Sequence, residues 1–413
     1  MKAVWLLILF WVLPVPALAS TPGQIEVCAN CPVTEVGDAL KQARPFDTVV
    51  VRQGVYREYD LVIDKPLVLM GDAGAVIDGE RKGEILRVVS DSVSVLGLSL
   101  RNVGKSYTAD YAALRVVKSK YFHLEGLLME QLFFGIYLEK SSHGVVCDNI
   151  ISGDAEEEFN SGNGIQLWYC RDIQVSGNRV SRVRDGIYLE FSDRIRIANN
   201  ISSDNVRYGL HFMFSNNDSY TDNIFEANGA GVAVMFSKEI EMKRNTFRRN
   251  WGTASFGLLL KEINDAVISQ NRFEANTVGI SIEGSNRIAY LGNTFQGNGW
   301  ALKVRGACYT NTFSNNNFLH NSFDISYNSK VNDNLFEKNY WSTYSGYDLD
   351  RDGFGDVPHR PVKLFSYIVN RTPETIVLLR SLFMDLIDYS ERVSPVFTPD
   401  NLMDPSPLMH PSS

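Results

Sequence analysis

The sequence predicts an all-β fold, a right-handed parallel β-helix of about a dozen coils, with a short N-terminal capping helix and a C-terminal helix plus extended tail. Three observations carry this. A phrase of asparagine, any residue, an apolar residue, two more residues and asparagine runs Asn223 to Asn228, Asn245 to Asn250, Asn271 to Asn276, Asn293 to Asn298 and Asn316 to Asn321, with Asn334 to Asn339 as a sixth. Its starts define a unit of about 22 residues, too short and too finely alternating for a helical repeat. Stacked one coil above another, the amides would donate and accept along a column and satisfy a sharp turn at each level.

A glycine column sets the register. It passes through Gly135, Gly164, Gly186, Gly209, Gly231, Gly257 and Gly279, with Ala301 in the same place. The first and third residues after each glycine are apolar, as in Ile187 and Leu189, Leu210 and Phe212, or Val232 and Val234. Strand side chains alternate, so these point inward and the second and fourth point out. Burying each inward residue contributes very roughly 1.5–3 kcal/mol.

Along the chain, Met1 and Lys2 precede an apolar run from Ala3 to Leu13 and a small-residue site at Ala17–Ala19, which reads as a secretory signal peptide over residues 1–19. Residues 20–47 form the N-terminal cap, with a short helix over Thr34–Ala43 covering the open end of a rod that starts at Thr48. The parallel β-helix occupies 48–345, an Asp-rich loop 346–361, a helical segment 362–395 and the extended tail 396–413. Thr372 and Pro373 mark the expected helix start, with Ile376, Leu379, Phe383 and Leu386 or Ile387 on its apolar side, packed over the C-terminal end of the rod. A loop rich in acid, Gly153–Glu158, leaves the rod where the glycine spacing stretches.

A formal charge of −8 argues against a nucleic-acid partner. Five cysteines is an odd number for an exported chain. Cys28 and Cys31 are a disulfide or a thiolate pair; Cys147, Cys170 and Cys308 read as packed thiols. Asp348, Asp350, Asp352 and Asp356, with Gly353, imitate the first part of a calcium loop, although the closing position holds His359.

The outward columns carry the functional signal. Met213 and Met235 occupy the same outward position one coil apart, and His211 lies two residues from Met213 on that face. Two thioethers and an imidazole are a soft set suited to Cu(I). Trp168, Phe214 and Phe236 lie nearby and suit a partner-docking surface, to which Met403 and Met409 of the tail could contribute.

These segments resemble the NosD family, exported accessory proteins for the maturation of nitrous oxide reductase, in the carbohydrate-binding and sugar-hydrolase-like β-helix group. The matching stretches are Gly162–Trp168 (GNGIQLW), Arg184–Tyr188 (RDGIY), Arg207–Asp218 (RYGLHFMFSNND), Val234–Ser237 (VMFS), the Asn339–Pro361 segment and the tail Asp404–Met409 (DPSPLM). The Cys28 and Cys31 pair departs from the family pattern. The resemblance implies a periplasmic, non-enzymatic protein. It would work with an ABC transporter membrane component and a copper-chaperone lipoprotein to assemble the copper sites of nitrous oxide reductase, handling Cu(I) transiently. The competing expectation is a polysaccharide lyase, hydrolase or epimerase, for which Glu139 and Glu190 share an outward column with Trp168 between them.

Overall fold

The computed structural model describes residues 22–393 and 402–412, apart from 107, 160, 329–332, 379 and 380. The expected signal peptide over 1–19 lies outside the described residues. Short strands stack in parallel into three sheets, one strand per sheet per coil. The first sheet has 14 strands, from Gln24–Val27 to Leu335–Glu337; the second has 12, from Leu61–Ile63 to Phe323–Tyr327; the third has 13, from Gly54–Tyr56 to Tyr340–Trp341. The rod therefore has about fourteen turns rather than a dozen. The extra length includes Gln24–Val27, which pairs with Thr48–Val51 ahead of the expected first strand.

Helix α1, Val36–Gln42, covers this end, burying Val36, Ala39 and Leu40. Glu58 accepts hydrogen bonds from the Val36 and Gly37 N–H groups at its start, and Lys65 Nζ donates to the Leu40 and Ala43 carbonyls at its finish. Opposite charges thus meet opposite ends of the helix dipole. The interior is one continuous apolar cluster running from Val27 to Leu402. Within it Phe225, Phe247, Phe273, Phe295, Phe318 and Trp341 form a ring stack, with centroids 4.0–5.4 Å apart. Glycine is used beside it because a Cβ at Gly231 would collide with the Gly257 carbonyl of the next coil.

The asparagine phrase resolves into two ladders. Its opening residue belongs to Asn149, Asn178, Asn200, Asn223, Asn245, Asn271, Asn293, Asn316 and Asn339. Its closing residue belongs to Asn205, Asn228, Asn250, Asn276, Asn298 and Asn321. A typical rung is Asn223: its backbone N–H and its Nδ2 both donate to Asn245 Oδ1, at 3.0 and 2.9 Å, and Nδ2 also donates to the Ile197 carbonyl. The sixth phrase is out of phase. Asn339 is an opening-ladder residue, whereas Asn334 accepts from Asn311 at a different corner. The same turn chemistry recurs at that corner and mimics the repeat.

The C-terminal elements exchange the places expected of them. Helix α2, Leu364–Arg371, lies on the outer flank of the second sheet, where Phe365 and Val369 pack with Val278, Trp300 and Phe323. The single helix anticipated after Thr372 is a 3-10 turn, Pro373–Leu378, followed by α3, Leu382–Val393. Ile387 faces the α2 cluster, while Leu382, Phe383, Leu386 and Tyr389 are exposed.

The open end is covered instead by the tail, which over 402–412 is a strap seated on the last coil and not a free arm. Leu402 and Asp404 are fully buried. Asp404 accepts hydrogen bonds from Asn339 N and Nδ2, Lys338 N and Trp341 Nε1, at 3.0–3.1 Å, and so occupies the final rung of the opening ladder. Ser412 reaches Asn317. Asp404→Ala leaves those buried donors without an acceptor, a cost of about 3 kcal/mol confined to the terminal coils of a solenoid. Hydrogen exchange should accelerate in 335–341 while strands near Met235 keep their protection.

His359, bridged to the strap at Asp404, lies against Trp341 and Tyr344. Burial, reinforced by the Lys363 charge, pushes its pKa from 6.5 down to about 4. The unfolded chain then binds a proton in this window that the folded chain refuses, so stability falls as pH drops from 6.5 towards 4 and levels off below. Asp324, raised to about 6 by burial, has the opposite slope. Denaturation midpoints of the wild type and His359→Gln separate the two: the variant should lose only the histidine slope, at most about 1.4 kcal/mol per pH unit.

Candidate metal and docking site

Strands Tyr208–Met213 and Ala230–Met235 pair in parallel with Met213 directly opposite Met235 and His211 opposite Ala233. Leu210, Phe212, Val232 and Val234 point into the core, so His211, Met213 and Met235 share the outer face, as the register predicts. The two thioethers stand about 5 Å apart at the backbone. Both methionines are half-buried.

His211 departs from expectation: it is not exposed but only 6% accessible. The ring lies 5.0 Å from the Tyr188 ring and 4.9 Å from the Tyr208 ring. Both ring nitrogens are buried without a hydrogen-bond partner among the described residues. Nδ1 faces Asp185 Oδ2 at 3.6 Å, an ion-pair separation beyond hydrogen-bonding reach. Asp185 is fully buried and accepts two hydrogen bonds from the Arg207 guanidinium. Burial by itself would raise the Asp185 pKa, but the Arg207 and then the His211 contacts outweigh it and hold the carboxyl below its usual range. Orphaned buried nitrogens are costly, and an imidazole kept in that state beside two thioethers fits a soft metal ion as cargo.

Sequence reasoning picked out Phe214 and Phe236 on this face but missed Tyr169 and Phe191, which continue them into one stack. Immediately after the fourth outward position, Tyr169, Phe191, Phe214 and Phe236 form a ladder of stacked rings, with centroids 4.8, 5.2 and 5.1 Å apart. Each has positive φ, between 49° and 54°. Elsewhere the same turn position is filled by Lys118, Lys140, Glu262, Gly284 and Gly306. Left-handed backbone disfavours bulky side chains, so four aromatics in a row are a departure from what the turn requires. The 22- or 23-residue spacing was visible in the chain, but aromatics are not sought at a left-handed turn. Trp168 joins the ladder edge-on at Tyr169, with Lys140 Nζ 4.7 Å above its ring. Phe214 and Phe236 therefore belong to one apolar stripe beside the methionine pair, and Trp168 marks its end.

Other expected residues lie elsewhere. Met403 is exposed and Met409 half-buried in the strap, several coils from Met235. Cys28 and Cys31 form a disulfide, which decides between the two readings of that pair. Cys170 and Cys308 are buried, but Cys147 is partly exposed on the outer face of the first sheet, which corrects its reading as a packed thiol. Asp348, Asp350 and Asp352 converge. Asp356 instead accepts from the Leu349 N–H, and His359 at the closing position turns into the strap, so a fourth carboxylate and a closing ligand are both missing from the calcium pattern. The acidic loop is tied down, Asp154 to Lys105 and Glu158 to Arg207. Glu139 is drawn into charge contacts with Arg115 and Lys140.

The architecture is shared with carbohydrate-active β-helix proteins. The mannuronan C-5 epimerase AlgE4 A-module of Azotobacter vinelandii superposes with a TM-score of 0.59 at 15% identity, covering 70% of this chain and 90% of that one. A family 28 exopolygalacturonase of Yersinia enterocolitica gives 0.62 at 10% identity, covering 76% and 78%. At such identities the likeness defines the class of fold alone. Sequence relatives go further. Residues 147–346 match the family described as "Periplasmic copper-binding protein (NosD)". The chain is 31% identical to the "Probable ABC transporter binding protein NosD" of Pseudomonas aeruginosa over 91% of its own length and 93% of that protein's. It is 29% identical to the protein of the same name from Stutzerimonas stutzeri, over 84% and 83%. The chain belongs to the NosD family. Among the described residues no helix is long and apolar enough to cross a membrane.

Proposed function

We propose that this chain is an exported periplasmic scaffold that handles Cu(I) during assembly of the copper sites of nitrous oxide reductase, without enzymatic activity of its own. The observation that carries the reading is the pairing of Met213 with Met235 beside His211, a buried imidazole that makes no hydrogen bond among the described residues and faces Asp185 at 3.6 Å. Met213 and Met235 supply soft sulfur donors at the surface, and His211 supplies nitrogen from behind Tyr188 and Tyr208, shielded from bulk water. The ladder from Tyr169 to Phe236 offers an apolar dock along the same edge for a copper-chaperone lipoprotein. Family description and relatives' names support copper and an ABC transporter as the general setting; the lipoprotein and the reductase are what the family resemblance implies.

Replacing both methionines by leucine conserves volume and costs under about 1.5 kcal/mol per site. M213L/M235L should keep the circular dichroism of the wild type, bind Cu(I) at least about tenfold more weakly in competition with a chromophoric chelator, and fail to support copper loading of the reductase. Unchanged loading would refute the proposed site.

The transporter contact is assigned to α3. Its exposed stripe of Leu382, Leu386 and Tyr389, spaced as one helix face, with Phe383 alongside, is 50–74% accessible and suits the apolar surface of a membrane-embedded subunit. Phe383→Asp with Leu386→Asp should abolish co-purification with the transporter while leaving the melting temperature within about 2 °C, since surface substitutions away from packed features change stability by about 0.5 kcal/mol or less.

A further inference from the structure

The first sheet carries a second group of potential ligands, separate from the methionine face. Strands His123–Glu125 and Val145–Cys147 pair in parallel with Glu125 opposite Cys147, and His123 lies two residues from Glu125 on the same side. One ligand atom from each residue lies within 4.8 Å of the others. His123 Nε2 is 2.7 Å from Glu125 Oε2 and 3.7 Å from Cys147 Sγ. We propose that His123, Glu125 and Cys147 form a metal site for a borderline divalent cation of the Zn2+ type.

Geometry supports the assignment. A tetrahedral zinc ion with ordinary Zn–S and Zn–N lengths holds its sulfur and nitrogen ligands about 3.6 Å apart, close to the separation seen before any ion enters. The nitrogen–oxygen edge would be about 3.4 Å, so the imidazole and carboxylate need only part by less than an ångström. All three residues stand on neighbouring strands of a rigid sheet, where positions are held better than on loops. The donor set of thiolate, imidazole and carboxylate matches zinc, whereas Cu(I) would prefer sulfur and nitrogen without the carboxylate. Two of these side chains are half-buried and Glu125 is exposed, leaving a solvent-facing fourth position.

The cysteine inventory points the same way. Cys28 and Cys31 are joined, and Cys170 and Cys308 are buried in the rod. Cys147 is the remaining thiol, half-exposed in a chain read as exported to an oxidising compartment, where such a group is vulnerable unless protected. Metal ligation would shield it and tie two coils together. Binding replaces the thiol proton, which leaves to solvent, and the imidazole coordinates through Nε2 with its remaining proton on Nδ1.

Co2+ is the probe, since a cobalt–thiolate bond absorbs in the near ultraviolet. Titrated into the oxidised full chain, one equivalent should produce that band, and Zn2+ should bleach it. Cys147→Ser should abolish the band. Glu125→Gln should weaken binding about tenfold, as loss of one ligand in three does. Both C28A/C31A and M213L/M235L should retain the band, which separates this site from the disulfide and from the copper-handling face. No band in the wild type, or an equal band in Cys147→Ser at unchanged circular dichroism, would overturn the site.

Discussion

Every coil of this rod must turn sharply through a buried corner, and a buried backbone N–H without an acceptor costs about 1–3 kcal/mol. From Asn149 to Asn339 the asparagine amide answers that constraint: one Oδ1 accepts from the backbone and side chain of the coil before, and Nδ2 donates onward and back to a strand carbonyl. The ladder also fixes phase. With Asn223 seated on Asn245, the strands that follow have no freedom to slip, and Met213 must stand opposite Met235. The opening ladder ends on a group that accepts without donating. A carboxylate has that property, and Asp404 supplies it from the far end of the chain. The strap is thus part of the same hydrogen-bonding system as the rod, which explains why a segment rich in proline is nonetheless held in place.

Much of this was legible in the sequence because the physics is periodic. The inward apolar pairs, the glycine column and the outward methionines recur at the repeat length, and each landed where period-two alternation puts it. What misled was periodicity without phase. Asn334 to Asn339 has the same spacing as the other phrases but straddles two different corners. The C-terminal elements were misplaced for a different reason. Helix α2 and the strap owe their positions to long-range contacts, Phe365 on Phe323 and Asp404 on Asn339, and amphipathicity identifies a face to be covered without saying by what. His211 was found by its column but not its burial, because Tyr188 and Tyr208, which wall it in, come from the preceding coil and the strand's own start.

The aromatic ladder shows where the chain departs from what its fold requires. At the turn after the second sheet, lysine, glutamate and glycine serve at other levels, and a ring at positive φ carries a conformational cost of about 1–3 kcal/mol. Stacking between neighbours returns part of that, about 0.5–1.5 kcal/mol per pair. Rings that merely stabilised the rod would be better placed inside, as Phe247 and Phe273 are. A run confined to four consecutive levels, and to the edge beside Met213 and Met235, is therefore explained more economically by a partner than by folding.

The charges around that edge also bear on which chemistry the face can perform. A general acid or base needs an accessible carboxylate whose pKa is drawn towards neutrality. Asp185 is the buried carboxylate beside His211, yet Arg207 and His211 hold its pKa low, so it stays ionised and engaged; Asp324, raised to about 6, is buried at the far end of the sheet and accepts from Asn321 and Thr343. Glu139 leans on Arg115 and Lys140. Glu190, by contrast, is the register neighbour of Met213, and a carboxylate at the margin of two neutral thioethers has the right sign to favour an arriving cation over a neutral sugar. With Asp185 and Glu139 held in ion pairs and the two thioethers open, this face suits the metal handling proposed above better than it suits proton transfer.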